Sequence, residues 1–267
     1  MKNIILDKYF KLSLVFIRQY IKILIQSKLD FFLGILGFVI TQASNLIIIF
    51  IIFKQIPNLN GWNMEEIIFI YGFSQIPRGI DHLFTDNLWS LSDILKQGDF
   101  DKYLIRPINP LFNLLSNKFQ PDALGEIFIG ITLIVISSNY LNISWEIIKI
   151  IIFIIAIVSS TVIYTSIKLL FSSFSFWIKD SFSLLQFIYT LSDFAKYPIT
   201  IYSKYIQYII SIIIPFAFTS FFPACYFLNK IDNILILLLS IIVSIIFGML
   251  AYLTWNIGIK HYESSGS

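Results

Sequence analysis

The chain has 267 residues, of which 57% are hydrophobic and 13% charged, with a mean hydropathy of +0.80. That leaves too little polar surface to cover a soluble globule of this size, so most side chains lie inside lipid or against it. A formal net charge of +3 gives no support to a general attraction to nucleic acid, and the one cysteine, Cys225, excludes an intrachain disulfide or a cysteine metal cluster. Few glycines and prolines and no Ser-rich or charged tract argue against a linker, so residues 1–267 read as a single membrane domain.

From the amino terminus, Met1 to Lys28 carries Lys8, Lys11, Arg18, Gln19, Lys22 and Gln26 on one narrow helical face, with Leu12, Leu14, Val15, Phe16, Ile17, Ile21, Leu24 and Ile25 covering the rest. This is the pattern of a helix lying in the membrane surface; a cytoplasmic helix packed on a partner is the alternative. Lysines interrupt its apolar stretch and no small-residue cleavage site follows, so it is not read as a signal peptide.

Apolar runs then predict six spans, at about 31–53, 66–94, 122–138, 147–170, 181–196 and 233–257. Lys149 and Lys168 sit close enough to the ends of the fourth span to snorkel to the headgroups. An even count puts both ends on one side. Lys2, Lys8, Lys11, Arg18, Lys22 and Lys28, with Lys96, Lys102, Arg106 and Lys118 in the second loop, make that side cytoplasmic. Trp62 and Trp145 fall at predicted outer boundaries and Trp89, Trp177 and Trp255 near inner ones, where amphipathic rings favour the headgroup level. Residues 197–230 are cut by Pro215 and Pro223, and a hairpin of two short helices dipping in from the outer side, broken at those prolines, preserves the parity.

Polarity survives inside the second span. Pro77 interrupts it about midway, and Arg78, Asp81, His82 and Asp86 follow at spacings of three and four, so Arg78 can pair with Asp81 and His82 with Asp86. Each such charge costs roughly 2.5 to 3.5 kcal/mol to insert, so this face must look at protein or water. Two readings stay open: part of a translocation path or proton relay, or a structural ion-pair network at a kinked helix. A single histidine here, with His261 in the tail, does not make a metal site. Lys179 and Asp180 mark a tight inner turn, and Asp193 can pair with Lys196.

The largest inner loop runs Gly98-Asp99-Phe100-Asp101-Lys102-Tyr103-Leu104-Ile105-Arg106-Pro107-Ile108-Asn109-Pro110. Asp99 can cap a short helix, Phe100, Tyr103 and Leu104 recur at helical spacing, and Pro107 ends it: a compact cytoplasmic knob or a plain connector. This stretch resembles the signature loop of ABC type-2 permeases, in the six-span branch encoded beside a separate ATPase. Tyr197-Pro198-Ile199-Thr200-Ile201-Tyr202, Ile214-Pro215, Phe222-Pro223-Ala224 and the ending Lys260-His261-Tyr262-Glu263-Ser264-Ser265-Gly266-Ser267 extend the resemblance over essentially the whole chain.

The resemblance implies an all-α polytopic fold with an in-plane amino-terminal helix (1–28), six membrane helices, a coupling helix within the cytoplasmic loop 96–118 and an outer re-entrant hairpin (197–230). It implies a coupling helix from Asp99 to Arg106, with Asp99, Phe100, Asp101, Tyr103, Leu104 and Arg106 facing the ATPase and Phe100 and Tyr103 as anchors in its cleft. The chain has no G-x-x-x-x-G-K-[ST] phosphate cradle, so no cofactor is expected on it and ATP and Mg belong to a partner ATPase. The expected protein is a non-catalytic, multi-pass permease of the cell membrane, dimeric with itself or a related permease, exporting cargo that suits an apolar, aromatic-rich interior, such as lipids, drugs or peptides. An ion-gradient-driven secondary transporter is the alternative, and a polytopic membrane enzyme, for which only the Arg78 to Asp86 face offers groups, is a more remote one.

Overall fold

A computed structural model describes residues 11, 12, 15, 16, 18, 19, 22, 28–178, 180–230 and 234–263. The expected in-plane helix therefore lies almost wholly outside the described residues, as do Lys179 and the last four residues of the family-like ending. Among the described residues the regular structure is helical, with one isolated bridge between Leu59 and Trp62.

Helix α1, Lys28–Gln55, is 28 residues long and presents apolar side chains on nearly all sides. Lipid solvates such a surface as well as protein does, so polar contacts decide which face turns inward. Here Gln42 Nε2 donates to Gln75 Oε1 at 3.1 Å, Asn45 Nδ2 donates to the Tyr71 hydroxyl at 3.3 Å, and that hydroxyl donates to Gln42 Oε1. Beyond α1, Asn60 and Gly61 both take positive φ, and Leu59 and Trp62 exchange backbone hydrogen bonds of 2.9 and 3.1 Å across this two-residue turn.

The turn feeds α2, Met64–Thr85, whose first turn is closed by the Asn63 N–H donating to Glu66 at 3.0 Å. Contrary to expectation, Pro77 does not interrupt this helix, which runs unbroken through it. The backbone bond a proline removes is outweighed by packing, since the middle of α2 is buried on nearly every side. The predicted span 66–94 instead breaks after Thr85, into a 3-10 stretch at Asp86–Ser90 and the short α3, Leu91–Lys96.

After the one-turn α4, Asp101–Leu104, and α5, Pro110–Ser116, the long helix α6, Ala123–Tyr140, returns along α2. The two backbones touch: a Cβ on Gly72 would stand 3.1 Å from the Gly130 carbonyl, and one on Gly130 would stand 2.8 Å from the Gly72 carbonyl. Small residues at such crossings let membrane helices gain dispersion contact. Gly130→Val is expected to cost about 1–3 kcal/mol, read as a lower unfolding midpoint of the purified chain. Gly34→Ala, where nothing lies within 4 Å, should not lower that midpoint, since alanine is the better helix former.

Helices α7, Ile147–Ser173, and α11, Leu235–His261, run past the carboxyl ends of the predicted spans 147–170 and 233–257. Between them the expected span 181–196 is an α-helix only over α8, Phe182–Thr190, followed by a 3-10 stretch, Leu191–Lys196. Among the described residues, four stretches are long and apolar enough to cross a membrane: Phe32–Gln55, Ala123–Tyr140, Ile147–Phe176 and Leu235–His261. Helix α2 has the length but carries charge, and α8 lacks the length.

Residues 197–230 form a chain of short pieces: Ile199–Ile201, α9 (Lys204–Tyr208) running into a widened π turn at Ile209–Ile213, Phe216–Thr219, and α10 (Phe221–Phe227). Pro215 does break the run, but Pro223 does not. It occupies the first turn of α10, where its missing N–H has no intrahelical carbonyl to serve. At the far end Asn229 adopts φ of 53°, the Lys230 N–H donates to the Cys225 carbonyl at 3.0 Å, and the helix closes. That closure brings the Lys230 ammonium 2.9 Å from Glu66 and 5.0 Å above the Trp62 ring, while Trp62 Nε1 donates to Thr200 at 2.8 Å. The turn before α2 and the 197–230 segment are thereby fastened together at one end of the bundle.

Candidate functional site

At the opposite end lies the knob. Helix α3 stops at Gly98, whose φ of 72° suits glycine, and the stop is made by Gly98 N–H donating to the Leu95 carbonyl (3.2 Å) and Asp99 N–H to the Ile94 carbonyl (3.0 Å). The chain turns back and drives Phe100 inward. The expected helix from Asp99 to Arg106 shrinks to the single turn of α4, because Asp99 does not cap it. Its carboxylate meets Lys102 at 2.5 Å instead.

The expected role of Phe100 as an anchor in a partner's cleft is corrected by its burial. The residue is 0% exposed, its ring 5.1 Å from Tyr262, 5.4 Å from Phe176 and 6.0 Å from Trp255 between centroids. Tyr103 stacks on it at 5.8 Å and is half-buried. The apolar side chains that do face outward are Leu104 and above all Ile105, 82% exposed. Asp99 and Asp101 are partly exposed, and Arg106 donates to Asn113 Oδ1 at 3.1 Å, tying the knob to α5, whose first turn Asn109 caps.

The polar face of α2 is the second cluster. Arg78, Asp81, His82 and Asp86 do follow one another down the helix, but the intrahelical pairs Arg78–Asp81 and His82–Asp86 do not form. Each side chain reaches another element. Arg78 pairs with Asp193 at 2.8 Å, Asp81 with Lys168 of α7 at 2.6 Å, His82 with Glu126 of α6 at 3.0 Å, and Asp86 with Lys118 at 2.5 Å. Neighbours on one helix can pair only along its surface, whereas these groups are packed against facing segments that supply counter-charges at closer range.

Asp81 and Lys168 are both 0% exposed. Lys168 therefore does not snorkel as expected; its ammonium lies 5.1 Å above the Tyr189 ring and 5.9 Å from that of Trp89. Asp81 also accepts from Thr85 Oγ1 (2.6 Å) and from the Tyr189 hydroxyl (2.9 Å), and that hydroxyl lies 2.8 Å from His82 Nε2. Asp193 meets Lys196 at 2.7 Å as expected, and its side chain is 49% exposed. Lys149, by contrast, is only partly buried and donates to Ser144 at 3.0 Å.

Sequence reading did not single out Glu126 or Tyr189 and misplaced Lys168. Glu126 carried a usable signal, being an acid inside an otherwise apolar span. Tyr189 carried none, because a tyrosine in such a segment reads equally well as an interfacial ring. No group of three or more His, Cys, Asp or Glu placed to hold a metal ion occurs among the described residues.

A buried ionic core running through long apolar helices, with a rigid knob at one end, is an architecture for a membrane machine, and comparison with known families decides which. Residues 39–266 match the family described as ABC-2 family transporter protein. The chain belongs to the ABC-2 transporter family. Neither curated proteins nor solved structures return a match. As an ABC-2 permease it is a multi-pass membrane component of ABC-type transport, and the match takes in the knob, the ionic core and the 197–230 segment alike.

Proposed function

We propose that this ABC-2 permease forms the translocation path of an ATP-driven exporter, as a dimer with itself or a related permease, above separate ATPase subunits that bind the ATP and Mg. The observation that carries this reading is the knob. Phe100 roots it in the bundle, so that a push on Ile105 and Leu104 is transmitted to α3, α7 and α11 rather than absorbed by a loose loop. A rigid, apolar tip of this kind fits a groove on a partner, and movement of the partner then biases the membrane helices by differential contact. The knob faces the cytoplasm of the cell membrane, with both termini on that side, six crossings and the 197–230 hairpin entering from outside.

The proposed path runs along α8. Residues 181–200 run the length of the bundle, from Asp180, 3.5 Å from Lys96 near the knob, to Thr200 at Trp62. On this segment Ser183, Gln186 and Thr190 are exposed and Asp193 half-exposed, a polar stripe at helical spacing. Thr190 donates to the Gln186 carbonyl and Asp193 is paired, but lipid would leave the Ser183 and Gln186 side chains unsatisfied, so the stripe is read as facing water and the second permease. Phe187, 63% exposed beside it, gives the surface the mixed character that suits amphipathic cargo.

Ile105→Glu tests the reading. The charge is expected to weaken ATPase association more than tenfold, as loss of a central apolar anchor does, without altering the unfolding of the permease. Undiminished co-purification with the ATPase would remove the knob from the coupling path. The buried ion pair at Asp81 favours a second reading, an ion-gradient-driven carrier. Transport in vesicles that persists without ATP but collapses with the proton or sodium gradient would select it.

A further inference from the structure

We propose that His82 and Glu126 form a buried proton-binding site, and that the proton held there completes the hydrogen-bond series tying α6 and α8 to α2. The inference goes beyond the exporter reading and does not depend on what drives transport.

Three polar contacts run in series: Glu126 Oε1 to His82 Nδ1 at 3.0 Å, His82 Nε2 to the Tyr189 hydroxyl at 2.8 Å, and that hydroxyl to Asp81 Oδ2 at 2.9 Å. Each is a hydrogen-bond distance and each needs one proton between its heavy atoms. Tyr189 supplies one, and a neutral imidazole supplies one more. Ionised Glu126 and Asp81 supply none, so the series is one proton short unless a further proton is bound. That proton resides on His82, making an imidazolium, or on Glu126 Oε1, donating to Nδ1. The two forms differ only by transfer across a single contact.

The charged surroundings are fixed on every side. On α2 itself stand Arg78 and Asp81, with Asp86 just past its end; α6 contributes Glu126, α7 Lys168 and α8 Tyr189; Asp193 and Lys196 follow α8, and Lys118 precedes α6. Asp81, Asp86 and Asp193 each have a lysine or arginine within 2.8 Å. Glu126 instead has His82, and its Oε2 is buried with no hydrogen-bond partner among the described residues. Its contact with His82 is therefore the one that an added proton completes.

When the proton leaves, an N–H or O–H bond breaks and the proton passes to water, which reaches the partly exposed edges of His82 (19%) and Glu126 (13%). One of the imidazole's two contacts is then left with facing lone pairs: at Tyr189 when the remaining ring proton is on Nδ1, at Glu126 when it is on Nε2. The tie from α2 to α8 or to α6 loosens accordingly, and it tightens again on reprotonation.

The chain contains two histidines, so His261→Asn leaves His82 as the sole imidazole. Nitrogen NMR of this full-length variant, histidine-labelled in nanodiscs at pH 7, is expected to show both ring nitrogens protonated. If the proton sits on the acid, infrared spectra show a protonated-carboxyl band that Glu126→Gln removes. Should Glu126→Gln not fold, ¹³C-labelled glutamate assigns the band in the parent chain. A neutral imidazole at pH 7 with no such band overturns the proposal.

Discussion

Asp81→Leu is expected to lower the stability of the purified chain by about 3–5 kcal/mol, and adding Lys168→Leu to return most of that loss. The two groups are 2.6 Å apart and inaccessible. Removing the carboxylate leaves an ammonium buried without its counter-ion, and takes away the acceptor that serves Thr85 and Tyr189 as well. Removing both charges leaves an apolar contact between α2 and α7 that replaces the ion pair at little net cost, because neither charge then has to be desolvated. A loss of that size is a large fraction of the 5–15 kcal/mol typical of folded proteins. Unfolding in mixed micelles, followed by circular dichroism, should rank both single variants well below the parent and the double variant near it. Additive losses in the double variant would mean that the pair is not an energetic unit. Transport by the double variant then separates the two readings left open for this face. A stable but inactive protein assigns the pair to the transport cycle, and a stable and active one assigns it to structure.

The pairing that makes this prediction possible was only half legible in the sequence. Arg78, Asp81, His82 and Asp86 stand out because charge inside an apolar run is costly wherever it points. A helical projection orders those side chains around one axis, but it carries no information about which distant helix lies opposite. Local arithmetic could therefore offer only Arg78–Asp81 and His82–Asp86, while Lys168 on a span of its own read as a residue free to reach the headgroups. The long helices were legible for the converse reason: hydropathy summed over Phe32–Gln55, Ile147–Phe176 or Leu235–His261 needs no knowledge of neighbours. Where tertiary packing overrides local preference the reading failed, as at Pro77, held inside an intact α2, and at 181–196, where an apolar stretch of sufficient length is wound partly as a 3-10 helix. Asp193–Lys196 was read correctly because both partners share one segment.

Phe100 poses the same problem at the knob, and there the competing accounts predict opposite results. As an anchor in a partner's cleft the ring contributes nothing to the isolated permease. As a buried core side chain packed against Phe176, Trp255 and Tyr262 it contributes heavily, and Phe100→Ala is expected to cost about 3–5 kcal/mol through lost contacts and the cavity left behind. The measurement is unfolding of the permease with no ATPase present. A large loss there, beside an unchanged midpoint for Ile105→Glu, places one residue in the root of the knob and the other at its tip. An unchanged midpoint for Phe100→Ala, with association to the ATPase weakened, would return the ring to the partner's cleft. The geometry favours the first outcome because Gly98 fixes the direction of the turn before Phe100. With the helix stop made by Gly98 and Asp99, the next side chain enters the space between α3 and α11, and the first apolar groups free to point away are Leu104 and, more fully, Ile105. A lever works only if its inner end is held, and in this chain the aromatic ring holds it while the exposed isoleucine meets whatever pushes.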